Sequence, residues 1–117
     1  MAAFTLANRF DLTLSYHTQG NVIYWKYDDL EPPRSYEIAR RLSAVSGYTL
    51  EITPPESANA GYRDWFILTF DKPGYTVECG LGINPLPLDQ FDDIYRVNEP
   101  LMTEAARAIQ AAPFETI

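Results

Sequence analysis

Leu12-Thr13-Leu14-Ser15-Tyr16-His17-Thr18-Gln19-Gly20-Asn21-Val22-Ile23-Tyr24-Trp25 is the stretch on which the fold turns. From Leu12 to His17 apolar and polar residues alternate, the two-residue period of a half-buried strand. Gln19-Gly20-Asn21 carries turn chemistry, since Gly and Asn tolerate backbone angles that other residues avoid. Val22-Ile23-Tyr24-Trp25 is β-branched and aromatic, which suits a second strand. Helical periods on either side of these strands indicate a layered α/β architecture.

Outward toward the N-terminus, Ala2 to Phe10 reads as the tail of a helix, with Phe4, Leu6, Ala7 and Phe10 near a 3.6-residue period. No N-cap residue opens it, so the expectation is a helix that begins upstream. In the other direction, Asp28 to Pro33 forms a loop whose prolines are expected in the first turn of a helix over Arg34 to Ser46. Ile38, Leu42 and Val45 make that helix's expected stripe, and Gly47 stops it. Tyr48 to Ile52 reads as a short strand. Thr53 to Gly61 reads as a loop, and connections of that length in compact domains are often functional. A short helix is expected from Tyr62 toward Phe70, then a turn at Asp71-Lys72-Pro73-Gly74 and a strand from Tyr75 to Cys79 that ends at Gly80. Gly82 to Pro87 is irregular. Asp89 to Ala111 reads as a long helix with Phe91, Ile94, Tyr95, Met102, Ala105 and Ile109 on one side, kinked or split by Pro100 near Glu99.

The chain has 117 residues, the size of one small domain. Hydrophobic residues make up 46% and aromatic residues 14%, which supports a packed core rather than disorder. Net charge is -7, and the only basic pair is Arg40-Arg41, so nucleic acid and an anionic membrane surface are excluded as expected partners. A single cysteine, Cys79, rules out an internal disulfide framework. No apolar run approaches a membrane span. The first residues lack the pattern of a signal peptide, so the chain as given reads as cytoplasmic.

Few residues carry chemistry. His17 is the only histidine and ends a predicted strand, the end at which open α/β sheets build sites. It reads either as a surface histidine or as a ligand or base. Glu78 lies in a mostly apolar strand. Either alternation turns it, with Thr76, to the solvated face of an edge strand, or it is a buried acid that must be paired, metal-linked or catalytic. Arg63 opens a helix beside Asp64, which caps that helix or pairs with it. Arg63 is either exposed or turned to a site where it holds an anion. Zinc needs three protein ligands, and one His with one Cys does not supply them. A Cys79–His17 nucleophile pair is formally open, beside the reading of Cys79 as core.

Four segments in order resemble the M14 (carboxypeptidase-type) zinc metallopeptidases, and among them the bacterial gamma-D-glutamyl-L-diamino acid peptidases. They are Leu14-Ser15-Tyr16-His17-Thr18-Gln19-Gly20 with Val22-Ile23-Tyr24-Trp25; Leu30-Glu31-Pro32-Pro33 before a helix ending in Ser46-Gly47-Tyr48; Ala60-Gly61-Tyr62-Arg63-Asp64-Trp65-Phe66; and Pro73-Gly74-Tyr75-Thr76-Val77-Glu78-Cys79-Gly80 with Gly82-Ile83-Asn84-Pro85-Leu86-Pro87. The resemblance implies a partial three-layer α/β sandwich with a short mixed sheet, corresponding to the second half of a zinc carboxypeptidase-like domain. It implies that residues 1–117 form a single partial metallopeptidase-like domain. It also implies zinc as cofactor, His17 as metal ligand and Glu78 as the general base that moves a proton from zinc-bound water to the leaving amine. Arg63 and Tyr62 fall in the substrate pocket, where a basic residue suits the second carboxyl group of diaminopimelate. The implied reaction is hydrolysis of gamma-D-glutamyl–diamino acid bonds in bacterial cell-wall stem peptides.

The family's His-x-x-Glu motif, which carries two further zinc ligands, is absent from this chain. The chain alone is therefore expected to be inactive and to need a complementing N-terminal half or self-association. The other expectations are a non-catalytic cell-wall peptide-binding module and an oligomeric remnant.

Overall fold

A computed structural model describes residues 1–58 and 61–111. Asn59 and Ala60, part of the loop expected over Thr53 to Gly61, lie outside the described residues, as does the C-terminal stretch 112–117. Helix α1 spans Ala2–Asn8, strands β1 and β2 Thr13–His17 and Val22–Tyr24, helix α2 Ser35–Ser46, strand β3 Thr49–Glu51, helix α3 Tyr62–Phe70, strand β4 Gly74–Glu78 and helix α4 Phe91–Gln110. The sheet is mixed, in the order β1-β4-β2-β3. β1 runs parallel to β4, β4 antiparallel to β2, and β2 parallel to β3.

Alternation along β4 divides the molecule into layers. Tyr75 and Val77 point to one face, where they are fully buried with Ile23 against Ile38, Ala39 and Leu42 of α2 and Leu101, Ala105 and Ala108 of α4. The Tyr75 hydroxyl donates to the Ser35 carbonyl at 2.8 Å, which fixes the start of α2 over the sheet. Arg41 of α2 pairs with Glu104 of α4 at 2.6 Å, so the two covering helices are also joined at their outer rim. The opposite face, which carries Gly74, Thr76 and Glu78, is covered only in part. There α3 sets Phe66 and Ile67 against Gly74, so close that a Cβ on Gly74 would lie 3.2 Å from the Phe66 ring. Helices on both faces of a short mixed sheet make the α/β sandwich that the sequence indicates.

Several details depart from the expected pattern. Pro32 and Pro33 precede α2 rather than sitting in its first turn, and Arg34 caps the helix with a left-handed backbone. The buried line of α2 steps from Ile38 through Leu42 to Ser46, because i, i+4 spacing drifts away from Val45, which is left 39% exposed. Ser46 satisfies itself there by donating to the Leu42 carbonyl. On α4 the buried line runs through Asn98, Leu101, Ala105 and Ala108, so Phe91, Tyr95 and Met102 fall on an adjacent exposed line. Pro100 does not split α4, which is continuous through it. The proline faces solvent there, and water can satisfy the carbonyl it leaves without a partner. In α1 the expected apolar stripe is exposed at Phe4 and Leu6, while Thr5 is fully buried.

Candidate functional site

Two parallel strands end side by side. In the β1–β4 register His17 stands opposite Glu78 and Ser15 opposite Thr76, so four side chains share one face across neighbouring strands. That places the imidazole and the carboxylate across one interstrand spacing, about 4.8 Å of backbone separation. The loops beyond are tied together. The Cys79 amide donates to the His17 carbonyl, the Gly20 amide to the Gly80 carbonyl, and the Gly80 amide to Asn21 Oδ1, each at 2.7 Å. Thr18 and Asn84 exchange two more hydrogen bonds, at 2.6 and 3.1 Å.

This face floors a cavity of about 380 Å³. Its floor is Ser15, His17, Tyr24, Thr76 and Glu78. Its far wall is Thr53, Pro54 and Ser57 from the loop after β3, with Gly61, Tyr62, Arg63 and Asp64 from the start of α3. The four residues singled out from sequence, His17, Tyr62, Arg63 and Glu78, therefore line one cavity.

β4 is an inner strand, paired on both sides, so Glu78 does not lie on an edge strand. One of its carboxylate oxygens, Oε2, is buried with no hydrogen-bond partner among the described residues. Burial raises its pKa above the usual 4.5, and the charge of His17 acts against that rise. A carboxyl in this setting holds a proton closer to neutral pH than a solvated one does. His17 itself is exposed at the open end of the cleft.

Arg63 is buried, not exposed at the helix start, with only 6% of its surface accessible. It pairs with Asp64 at 2.8 Å, and its Nη2 also donates to Thr53 Oγ1. Its guanidinium lies 5.8 Å from the centre of the Tyr24 ring. Gly61 is the N-cap of α3, so of the two roles expected for Asp64 the structure shows the pairing.

Tyr62 lines the cavity with its ring and turns its hydroxyl to α1. Its oxygen is 2.6 Å from Thr5 Oγ1, and Thr5 gives its own proton to the Met1 carbonyl at 2.9 Å. The Tyr62 hydroxyl is therefore the donor in the pair.

Cys79 belongs to the opposite, core face, and burial pushes its thiol pKa up. Its side chain is not a partner of His17, so a Cys–His nucleophile pair is excluded. Among the described residues no group of three or more His, Cys, Asp and Glu is placed to hold a metal ion.

Sequence reading missed Tyr24 and Thr53. Alternation in Val22-Ile23-Tyr24 sets Tyr24 apart from the buried Ile23, but only the β2–β4 register, Tyr24 opposite Thr76, shows which face it joins. Thr53 lies in the long loop marked as functional by its length alone.

No protein-family model and no solved structure matches the chain. Two curated relatives do. Over 98 residues the chain is 50% identical to gamma-D-glutamyl-L-diamino acid endopeptidase 1 of Lysinibacillus sphaericus, which covers 82% of this chain and 24% of that protein. Over 95 residues it is 42% identical to the uncharacterized protein YqgT of Bacillus subtilis, covering 81% of this chain and 25% of that protein. The chain thus spans about a quarter of the length of these relatives.

Proposed function

We propose that this chain supplies one wall of an M14-type peptidase site that hydrolyses gamma-D-glutamyl–diamino acid bonds in peptidoglycan stem peptides. The observation that carries the reading is the pairing of His17 with Glu78 at the ends of two adjacent parallel strands, over a cavity whose opposite wall holds Arg63. The similarity to a gamma-D-glutamyl-L-diamino acid endopeptidase supports it.

In this reading Glu78 accepts and returns a proton at the scissile bond, a task favoured by the raised pKa of its partly buried carboxyl. Arg63 receives the second carboxylate of a diaminopimelate residue, and the Tyr62 ring forms the side of that pocket. His17, exposed beside the cavity, would serve as one metal ligand if a complementing segment supplied the others. Zinc requires three protein ligands with a fourth position open, and the described residues offer a single imidazole with no further cluster around it. The chain on its own therefore does not fit zinc. The remaining ligands belong to a complementing segment, and the chain alone is expected to bind peptide without cleaving it.

The test is a hydrolysis assay on a gamma-D-glutamyl-diaminopimelate peptide with metal analysis. The isolated chain is expected to hold less than one zinc per molecule and to show no turnover. Co-expression with a segment bearing a His-x-x-Glu motif should restore turnover, and Glu78→Gln should reduce it by about 10²- to 10⁴-fold. Restored turnover that Glu78→Gln leaves intact would sink the assignment. The second reading, a non-catalytic peptide-binding module, is favoured by the lack of a metal-holding group of three or more His, Cys, Asp and Glu among the described residues. It gains if peptide binds but no complementing segment yields turnover.

A further inference from the structure

We infer that Thr53 and Tyr24 are positioning residues that set how Arg63 presents its guanidinium to the cavity. Through it they set how far the site prefers a dicarboxylic diamino acid to a monocarboxylic one. The inference rests on the role proposed above for Arg63.

An arginine side chain has several free torsions, and a guanidinium recognises a carboxylate well only when its donors are held in a fixed plane. Arg63 is held from three places. Asp64, its neighbour on α3, pairs with Nη2 at 2.8 Å. Thr53, in the loop after β3, accepts a hydrogen bond from the same nitrogen. Tyr24, on β2, lies with its ring 5.8 Å from the guanidinium carbon.

These contacts occupy Nη2. Nε and Nη1 are buried without hydrogen-bond partners among the described residues, on a side chain that lines the cavity. A buried donor without a partner is costly, and an incoming carboxylate is the group that would relieve that cost. Asp64 also balances the charge of Arg63. Preference for a second carboxylate must therefore come from the aim of the remaining N–H groups more than from net positive charge, and Thr53 and Tyr24 set that aim.

The experiment measures binding of gamma-D-glutamyl-meso-diaminopimelate and gamma-D-glutamyl-L-lysine to the full chain by calorimetry. The second peptide lacks the extra carboxylate. Thr53→Val and Tyr24→Leu are each expected to weaken the diaminopimelate peptide by roughly three- to tenfold and to leave the lysine peptide unchanged. Thr53→Ser and Tyr24→Phe keep the hydroxyl and the ring, and should keep the wild-type ratio. In an Arg63→Gln/Asp64→Asn background, which leaves no lone buried charge, Thr53→Val should have no further effect.

Equal weakening of both peptides, or an effect that persists in the neutral background, overturns the positioning role while the reading of Arg63 stands. A wild-type chain that binds neither peptide, or shows no preference, overturns both. A measurement without ligand adds to this. The Arg63 Nε–H resonance should exchange faster with solvent in Thr53→Val and Tyr24→Leu than in the wild-type chain, and unchanged exchange in both variants counts against the inference.

Discussion

Glu78 has a consequence that can be read without substrate. Burial holds its folded-state pKa above the usual 4.5, so the folded chain binds this proton more tightly than the unfolded chain does. The stability linked to this group is then complete below about 4.5 and is lost as pH rises through the folded-state value. Glu78→Gln removes the titration. The variant and the wild type should melt together in acid, and the variant should melt higher at neutral pH. Thermal melts whose difference stays constant across that window would show that the carboxyl is not perturbed. At this scale the sequence was only partly legible. His17, Glu78 and Arg63 stood out as chemical types in odd places. Whether Glu78 lay on an edge or an inner strand, and whether Arg63 was buried, depended on pairings between segments far apart in the chain, which periodicity does not encode.

The elements were more legible, because alternation and helical period act locally. Each strand and helix lies within a few residues of its expected place. The faces of the helices were harder to read. Phe91, Tyr95 and Met102 keep a helical spacing as regular as that of the buried line beside them, and only packing against α2 and the sheet selects between the two lines. Gly80 shows how closely the elements meet just beyond the end of β4. Its φ is +84°, and a Cβ there would collide with Leu86 Cδ1 and reach within 3.0 Å of Gln90 Oε1. Gly80→Ala combines about 1–2 kcal/mol for a left-handed backbone with a comparable cost for overpacking. Its melting temperature should fall by on the order of 10 °C. A drop of only a degree or two in calorimetry would mean that the loop after β4 yields more easily than the structure indicates.

For the whole molecule, exposed apolar residues are the salient feature. Leu81, Ile83, Leu88, Phe91, Tyr95 and Met102 are each at least 47% exposed, from the loop after β4 into α4. Among the described residues the outer edge of β1 has no strand partner. Such surfaces favour association, and the net charge of -7 opposes it. Light scattering should therefore give a mass above the 13.3 kDa of one chain, rising with protein concentration and with added salt as repulsion is screened. A steady monomer at high concentration in high salt would argue that these surfaces are compatible with water.

The parallel ladder between β1 and β4 also orders events in time. Its two strands lie about sixty residues apart in the chain, and a contact of that span forms late, after a costly closure. Ribosomal synthesis must carry the chain past Glu78 before His17 can meet its partner across the ladder. The floor of the cleft is thus closed only after β4 emerges, and a nascent chain halted short of that strand would hold the imidazole without the carboxylate that faces it.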